Sequence, residues 1–148
     1  MKHFGDYMSE DRSPYYGKVF FHGTNNDFDS FDFKFFGRTD SGFVGRGFYL
    51  TGDEKLAGLY ATGSAAEHGG EASVLKFKVF PKKTLELTST GTSEWVKAME
   101  ALGINRSGST EVQTKELLKL GYDSIAVNRN GKTREFVMLD PKLVKRVK

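Results

Sequence analysis

A carboxylate, a histidine and two tyrosines stand out in this chain, each at the end of a predicted strand or on the helix that follows one. His22 lies in Phe20-Phe21-His22-Gly23-Thr24, after three apolar residues. Tyr49 lies in Gly45-Arg46-Gly47-Phe48-Tyr49-Leu50-Thr51, and Tyr60 follows eleven residues later. Glu135 opens the apolar run Phe136-Val137-Met138-Leu139. A carboxylate at the mouth of a buried strand is costly unless it faces a cleft or a partner. Beside a ribose it can hydrogen-bond the 2-hydroxyl and stabilise an oxocarbenium-like transition state. Two tyrosines can sandwich a flat heterocycle, and a cationic ring gains more from their faces. A histidine can bond a ribose hydroxyl. A glycine such as Gly23 lets a planar ligand reach backbone N–H and C=O. Together these are the parts needed to hold a dinucleotide and cut one glycosidic bond.

Each part also has a plainer account. His22-Gly23-Thr24 can be a capped strand and a turn, and the tyrosines can be core. Glu135 can be a surface residue paired with Arg134 or Arg129. Gly42, Gly45 and Gly47 can close over phosphates with Arg38 or Arg46 supplying charge, or simply form a mobile loop. They do not fit the dinucleotide fingerprint, which needs a preceding strand and a following helix.

The elements that must position these groups follow from pattern. Val19 to His22 reads as a short strand and residues 25–46 as a long loop, which in a compact domain is usually functional. Gly47 to Thr51 reads as a strand. Asp53 is a fair N-cap for a helix from Glu54 to about Ala66, weakened by Gly58 and Gly63. Ser73 to Phe80 alternates Lys76 and Lys78 against Leu75, Phe77 and Val79, which predicts a strand with one solvated face. Thr84 to Leu87 is a further strand. Helices are expected from Ser93 to Leu102 and from Glu111 to Leu120, with Gly103 and Gly121 as stops. Ser124 to Asn128 and Arg134 to Leu139 form a hairpin through Asn130-Gly131. Leu143 to Val147 adds an edge strand, and the basic end Lys142, Lys145, Arg146, Lys148 reads as solvated. The fold class is α+β with a mostly antiparallel or mixed sheet.

Composition narrows the setting. The chain has 148 residues, which suits one domain: a flexible leader over 1–17 and a folded unit over 18–148. Thirteen Phe and six Tyr predict an aromatic core, and no cysteine leaves disulfides and thiolate metal sites out. His3, His22 and His68 lack zinc-ligand spacing, and Asp27, Asp29 and Asp32 lack the glycine and closing glutamate of a calcium loop. No metal is therefore expected. No apolar run is long enough to span a bilayer and no signal peptide is evident, so the expected location is cytoplasmic. The net charge of +3 permits attraction to phosphate without demonstrating it.

The ordered set His22-Gly23-Thr24, Gly47-Phe48-Tyr49, Tyr60 and Glu135 resembles the ADP-ribosyltransferase superfamily, in the His-Tyr-Glu branch of diphtheria toxin and the poly(ADP-ribose) polymerases. So does Leu120-Gly121-Tyr122-Asp123-Ser124-Ile125 ahead of the Glu-bearing strand. The chain is most similar to small mono-ADP-ribosyltransferase domains of phage and bacterial proteins, over roughly residues 18–147. The resemblance implies a split mixed or antiparallel sheet core with flanking helices, and NAD as co-substrate. It implies that Glu135, His22 and Tyr49 are catalytic and that His22, Gly23, Thr24, Tyr49, Tyr60 and Arg46 bind NAD. His22 would hold the adenosine-side ribose, Gly23 the nicotinamide carboxamide, Tyr49 and Tyr60 the nicotinamide ring. Glu135 would orient the nicotinamide ribose.

Two positions depart from the pattern. Ala57 stands where many relatives carry a serine, and Thr133 stands where arginine-modifying relatives carry Glu or Gln. The implied activity is single transfer to a macromolecular acceptor, nucleic acid slightly ahead of protein, in a toxin, defence or takeover role, with an antitoxin or immunity protein as a further partner. An NAD glycohydrolase or a non-catalytic nucleotide-binding module are the alternatives.

Overall fold

Alternating apolar residues and glycine stops divide the chain into seven strands and three helices among the residues that the computed structural model describes, 13–24, 47–88, 92–104 and 110–147. In chain order these are β1 (Val19–Thr24), β2 (Phe48–Leu50), α1 (Glu54–His68), β3 (Ser73–Val79), β4 (Thr84–Leu87), α2 (Thr92–Ala101), α3 (Thr110–Lys119), β5 (Ser124–Arg129), β6 (Lys132–Met138) and β7 (Val144–Val147). The expected loop over 25–46 lies outside the described residues.

Two sheets result. One has order β1-β3-β7 and is antiparallel throughout; the other has order β2-β6-β5-β4 and is mixed, since β4 runs parallel to β5. Among the described residues an antiparallel bridge, Phe21 to Thr51, joins them through reciprocal backbone bonds of 2.8 Å. The core is split likewise. One cluster gathers Phe20, Phe48, Leu75, Phe77, Val79, Ala126, Phe136 and Met138; the other gathers Leu87, Trp95, Met99, Leu117, Ile125, Val127, Val137 and Leu139 under α2 and α3. Alternate residues of β5 and β6 therefore serve opposite cores, as the two-residue period of a strand requires.

Local chemistry sets the boundaries. Asp53 caps α1, its Oδ1 accepting from the N–H groups of Lys55 (3.0 Å) and Leu56 (3.3 Å). The helix runs past Gly58 and Gly63 to His68 because tertiary packing outweighs their propensity cost. Helices α2 and α3 close alike: Gly103 and Gly121 take positive φ, and the next residue donates back five positions, Ile104 to Met99 and Tyr122 to Leu117. Asn130 and Gly131 both take positive φ, as a tight β-hairpin turn between β5 and β6 demands.

The N-terminal expectation needs correction. Residues 13–17, assigned to a loose leader, form a turn that belongs to the domain. Tyr15 is buried, with its ring 5.1 Å from Phe136 and 6.3 Å from Phe20. Its hydroxyl donates to Glu86 Oε1 (2.6 Å) and accepts from Asn128 Nδ2 (2.7 Å). The large apolar ring supplies the burial, and the hydroxyl finds partners on β4 and β5.

Candidate functional site

The site forms where the two sheets diverge. Beyond the Phe21–Thr51 bridge β1 stays with β3, while β2 runs back along β6. The carbonyl of Tyr49 points to the β1 side of β2, because alternate residues of an antiparallel strand present their polar groups to the same side and Thr51 bonds Phe21. His22 reaches into this gap. Its Nδ1 lies 2.9 Å from the Tyr49 carbonyl oxygen, and its ring packs 4.5 Å from Phe48 and 6.4 Å from Phe77, centroid to centroid. Burial pushes the imidazole pKa down to about 4, with the carbonyl bond opposing in part. The ring is neutral at pH 7. Nδ1, facing a carbonyl, carries the proton, so Nε2 is the acceptor nitrogen.

Gly23 follows on the same strand. Its N–H and C=O share the side of Phe21, away from β3 and toward the divergence. The other requirement for glycine is the helix. A Cβ here would meet the Ala57 carbonyl oxygen at 1.9 Å and the Ala61 nitrogen at 2.8 Å. Ala57 and Ala61 are the buried face of α1, so helix and strand backbones touch through three small residues. Ala57 thus has a packing role against β1. Thr24 is also buried, opposite Ser73 at the strand end, and offers little surface to a ligand.

Tyr60 lies on the flank of α1. Gly58 faces Val74 of β3, its virtual Cβ 4.0 Å from that side chain. At 100° per residue, Tyr60 falls on the other side of the Ala57–Ala61 line, toward the divergence rather than toward β3. It is 51% exposed, free of the core role open to it from sequence. Tyr49 is half-buried, packed against the second core cluster.

Glu135 shares the face of Tyr49. Tyr49 stands opposite Val137 in the β2–β6 register, and Glu135 is the next residue of β6 on that face. That places the two diagonally, about 7–8 Å apart between backbones by sheet geometry. Glu135 is half-buried and its Oε2 is buried. Across the hairpin it stands opposite Val127, and Arg129 stands opposite Lys132.

A β-bulge lies beside Glu135. Val127 pairs with Glu135 but Asn128 pairs with Thr133, which leaves Arg134 as the extra residue. The slip moves Thr133 off the phase of Glu135. Its hydroxyl donates to Asn128 Oδ1 at 2.8 Å, and its carbonyl accepts from Gly52 N–H at 3.0 Å, one residue before the cap of α1. Thr133 is thus tied to the Tyr15–Asn128–Glu86 network. Sequence reasoning missed this network; the polar character of Thr133 and Asn128 flanking the hairpin was its only signal.

The geometry therefore brings His22 and Tyr49 into contact, puts Glu135 on the face of Tyr49, and aims Gly23 and Tyr60 toward the same divergence. Arg46, Arg38, Gly42 and Gly45 lie outside the described residues. Among the described residues no His, Asp and Glu side chains gather where a metal ion could sit, and no helix is long and apolar enough to cross a membrane.

A family model described as ADP-ribosyltransferase in polyvalent proteins matches residues 16–148. None of the curated proteins compared by sequence matches the chain. By structure the chain is similar to a chain of the M. tuberculosis MbcT–MbcA toxin–antitoxin complex, with TM-score 0.50 and 12% identity over 90% of this chain and 82% of that one. It also matches the crystal structure of an anti-CRISPR protein, with TM-score 0.42 and 18% identity over 89% of this chain and 96% of that one. At 12% identity the first likeness is one of fold.

Proposed function

The chain belongs to the ADP-ribosyltransferase family found in polyvalent proteins, and from that premise we propose that it is a mono-ADP-ribosyltransferase of the His-Tyr-Glu type, cleaving the nicotinamide–ribose bond of NAD and passing ADP-ribose to a macromolecule. The observation that supports this best is the pairing of Tyr49 and Glu135 on one sheet face, with His22 bonded to the Tyr49 carbonyl at its edge.

Each side chain then has a task. The neutral His22 accepts a hydroxyl of the adenosine-side ribose at Nε2, its orientation fixed through Nδ1. The backbone of Gly23 presents one donor and one acceptor, which match the carboxamide of nicotinamide. Tyr49 and Tyr60 flank the pyridinium. Glu135 hydrogen-bonds the 2-hydroxyl of the nicotinamide ribose. As the C–N bond breaks, nicotinamide leaves with the bonding pair and positive charge grows on the ribose ring, where the carboxylate is worth most. An acceptor nucleophile then attacks the anomeric carbon and loses its proton.

Nucleic acid is favoured over protein as acceptor, on the basic balance of the chain. The bulge that takes Thr133 away from Glu135 leaves that position poorly placed to read an arginine acceptor. The toxin–antitoxin origin of the fold neighbour makes a proteinaceous inhibitor a reasonable partner to seek.

The test is direct. The protein is incubated with NAD, free nicotinamide is measured, and labelled ADP-ribose is traced into separate RNA, DNA and protein pools. Glu135→Gln should slow nicotinamide release by roughly 10²–10³-fold with the fold intact. No nicotinamide release from the wild type, or equal rates for Glu135→Gln, sinks the reading. Release of free ADP-ribose unaffected by any acceptor pool would make the protein a glycohydrolase.

A further inference from the structure

The outer face of the β1-β3-β7 sheet carries a row of cations that the fold does not use. Lys78 and Lys145 are direct partners across β3 and β7, and Lys76 is the next outward residue of β3. All three are exposed. Like charges placed directly opposite in a sheet destabilise it, yet β1, β3 and β7 contain no acidic residue to offset them. The exposed apolar residues Val19 and Val147 flank the row, opposite Lys78 and Lys76.

An aromatic pair stands at the end of the row. Phe80 continues the outward phase of Lys76 and Lys78, held in register by its N–H bond to the Leu143 carbonyl at 2.8 Å. Tyr16 packs edge-on against it, ring centroids 5.5 Å apart, and is 41% exposed. At the other end α1 covers the same face, with Gly58 over Val74 and Ala57 over Gly23. The row begins with Lys76, opposite Phe21, about 7 Å along β1 from Gly23 by strand rise.

Lysines aligned on a flat sheet face with an exposed ring beside them suit an extended polyanion that has bases to stack. We propose that this face docks single-stranded nucleic acid, with Lys76, Lys78 and Lys145 on phosphates and Tyr16 under a base. The docked strand runs along the row toward α1, which covers the same face beyond Lys76 through Gly58 over Val74. The surface is separate from the candidate NAD site, so its binding is measurable without turnover.

The experiment uses a fluorescein-labelled single-stranded RNA 20-mer, and the same sequence in DNA, titrated with the full chain across a salt series without NAD. For the wild type, log K falls with log salt. Replacing all three lysines (Lys76→Gln, Lys78→Gln, Lys145→Gln) should make that slope shallower by about 2, at roughly 0.7 per lysine. Lys78→Gln alone should change it by about 0.7, which guards against a misfolded triple variant. Tyr16→Ala should weaken binding about tenfold with the salt slope unchanged, as loss of one stacked base does. Unchanged affinity and slope in the lysine variants, no binding by the wild type at low salt, or stronger competition by poly-L-glutamate than by RNA overturns the proposal. If binding behaves as stated but nicotinamide is never released, the docking surface stands and the activity assignment fails.

Discussion

The Nδ1 of His22 and the carbonyl oxygen of Tyr49 are 2.9 Å apart, although the residues lie 27 positions apart in sequence. This contact closes the gap left where β1 and β2 part, and it selects the imidazole tautomer. It also ties the fate of the histidine to pH. Burial lowers the folded-state pKa to about 4 from 6.5, so between those values the unfolded chain binds more protons than the folded one. The contribution of His22 is thus complete above about pH 6.5 and is lost as pH falls toward 4. The loss amounts to as much as about 3 kcal/mol. Urea unfolding from pH 7 to pH 4 should show a steeper decline for the wild type than for His22→Gln, which cannot titrate. Parallel curves would mean that the ring is not buried as described.

Gly23→Ala should be costly for a reason of backbone, not side chain. The added methyl meets a helix carbonyl that no rotamer change can move, so α1 must shift. A loss of about 2–3 kcal/mol is expected, or roughly 5–10 °C in Tm for a chain of this size. Gly63→Ala makes the contrast. Its Cβ meets nothing within 4 Å in a helix interior, and it should gain about 0.5–1 kcal/mol. Thermal melts of the two variants should move in opposite directions.

Tyr60→Ala should separate binding from stability. The side chain is half exposed on α1, so Tm should stay within about 2 °C of wild type. Loss of one ring face against a pyridinium should raise KM for NAD about tenfold. Steady-state nicotinamide release measures this, and an unchanged KM would remove Tyr60 from the site.

Tyr15→Phe tests the clamp of the N-terminal turn. The ring packing against Phe20 and Phe136 is kept while the hydroxyl bonds to Glu86 and Asn128 are lost. The Asn128 amide and the Glu86 carboxylate lose a partner, at about 1–3 kcal/mol by denaturant unfolding. Burial and the Glu86 carboxylate both raise the phenol pKa, so the hydroxyl stays protonated and donates throughout the neutral range.

Period and punctuation made much of this protein legible in one dimension. The alternation of Val74 to Val79 declares β3 and its solvated lysines. Asp53 starts α1, Gly103 and Gly121 end α2 and α3, and Asn130-Gly131 turns β5 into β6. These are local preferences of single residues, expressed within a few positions. The order of His22, Tyr49, Tyr60 and Glu135 also pointed to one superfamily, and the match over residues 16–148 bears that out. What only the folded chain decided is relational. The split into two sheets depends on where β1 leaves β2, and the place of Thr133 depends on one extra residue at Arg134. Tyr15 becomes core because partners on β4 and β5 receive its hydroxyl. A two-residue period says which side chains share a face, but not which face meets which, because that is settled by register between segments far apart in sequence.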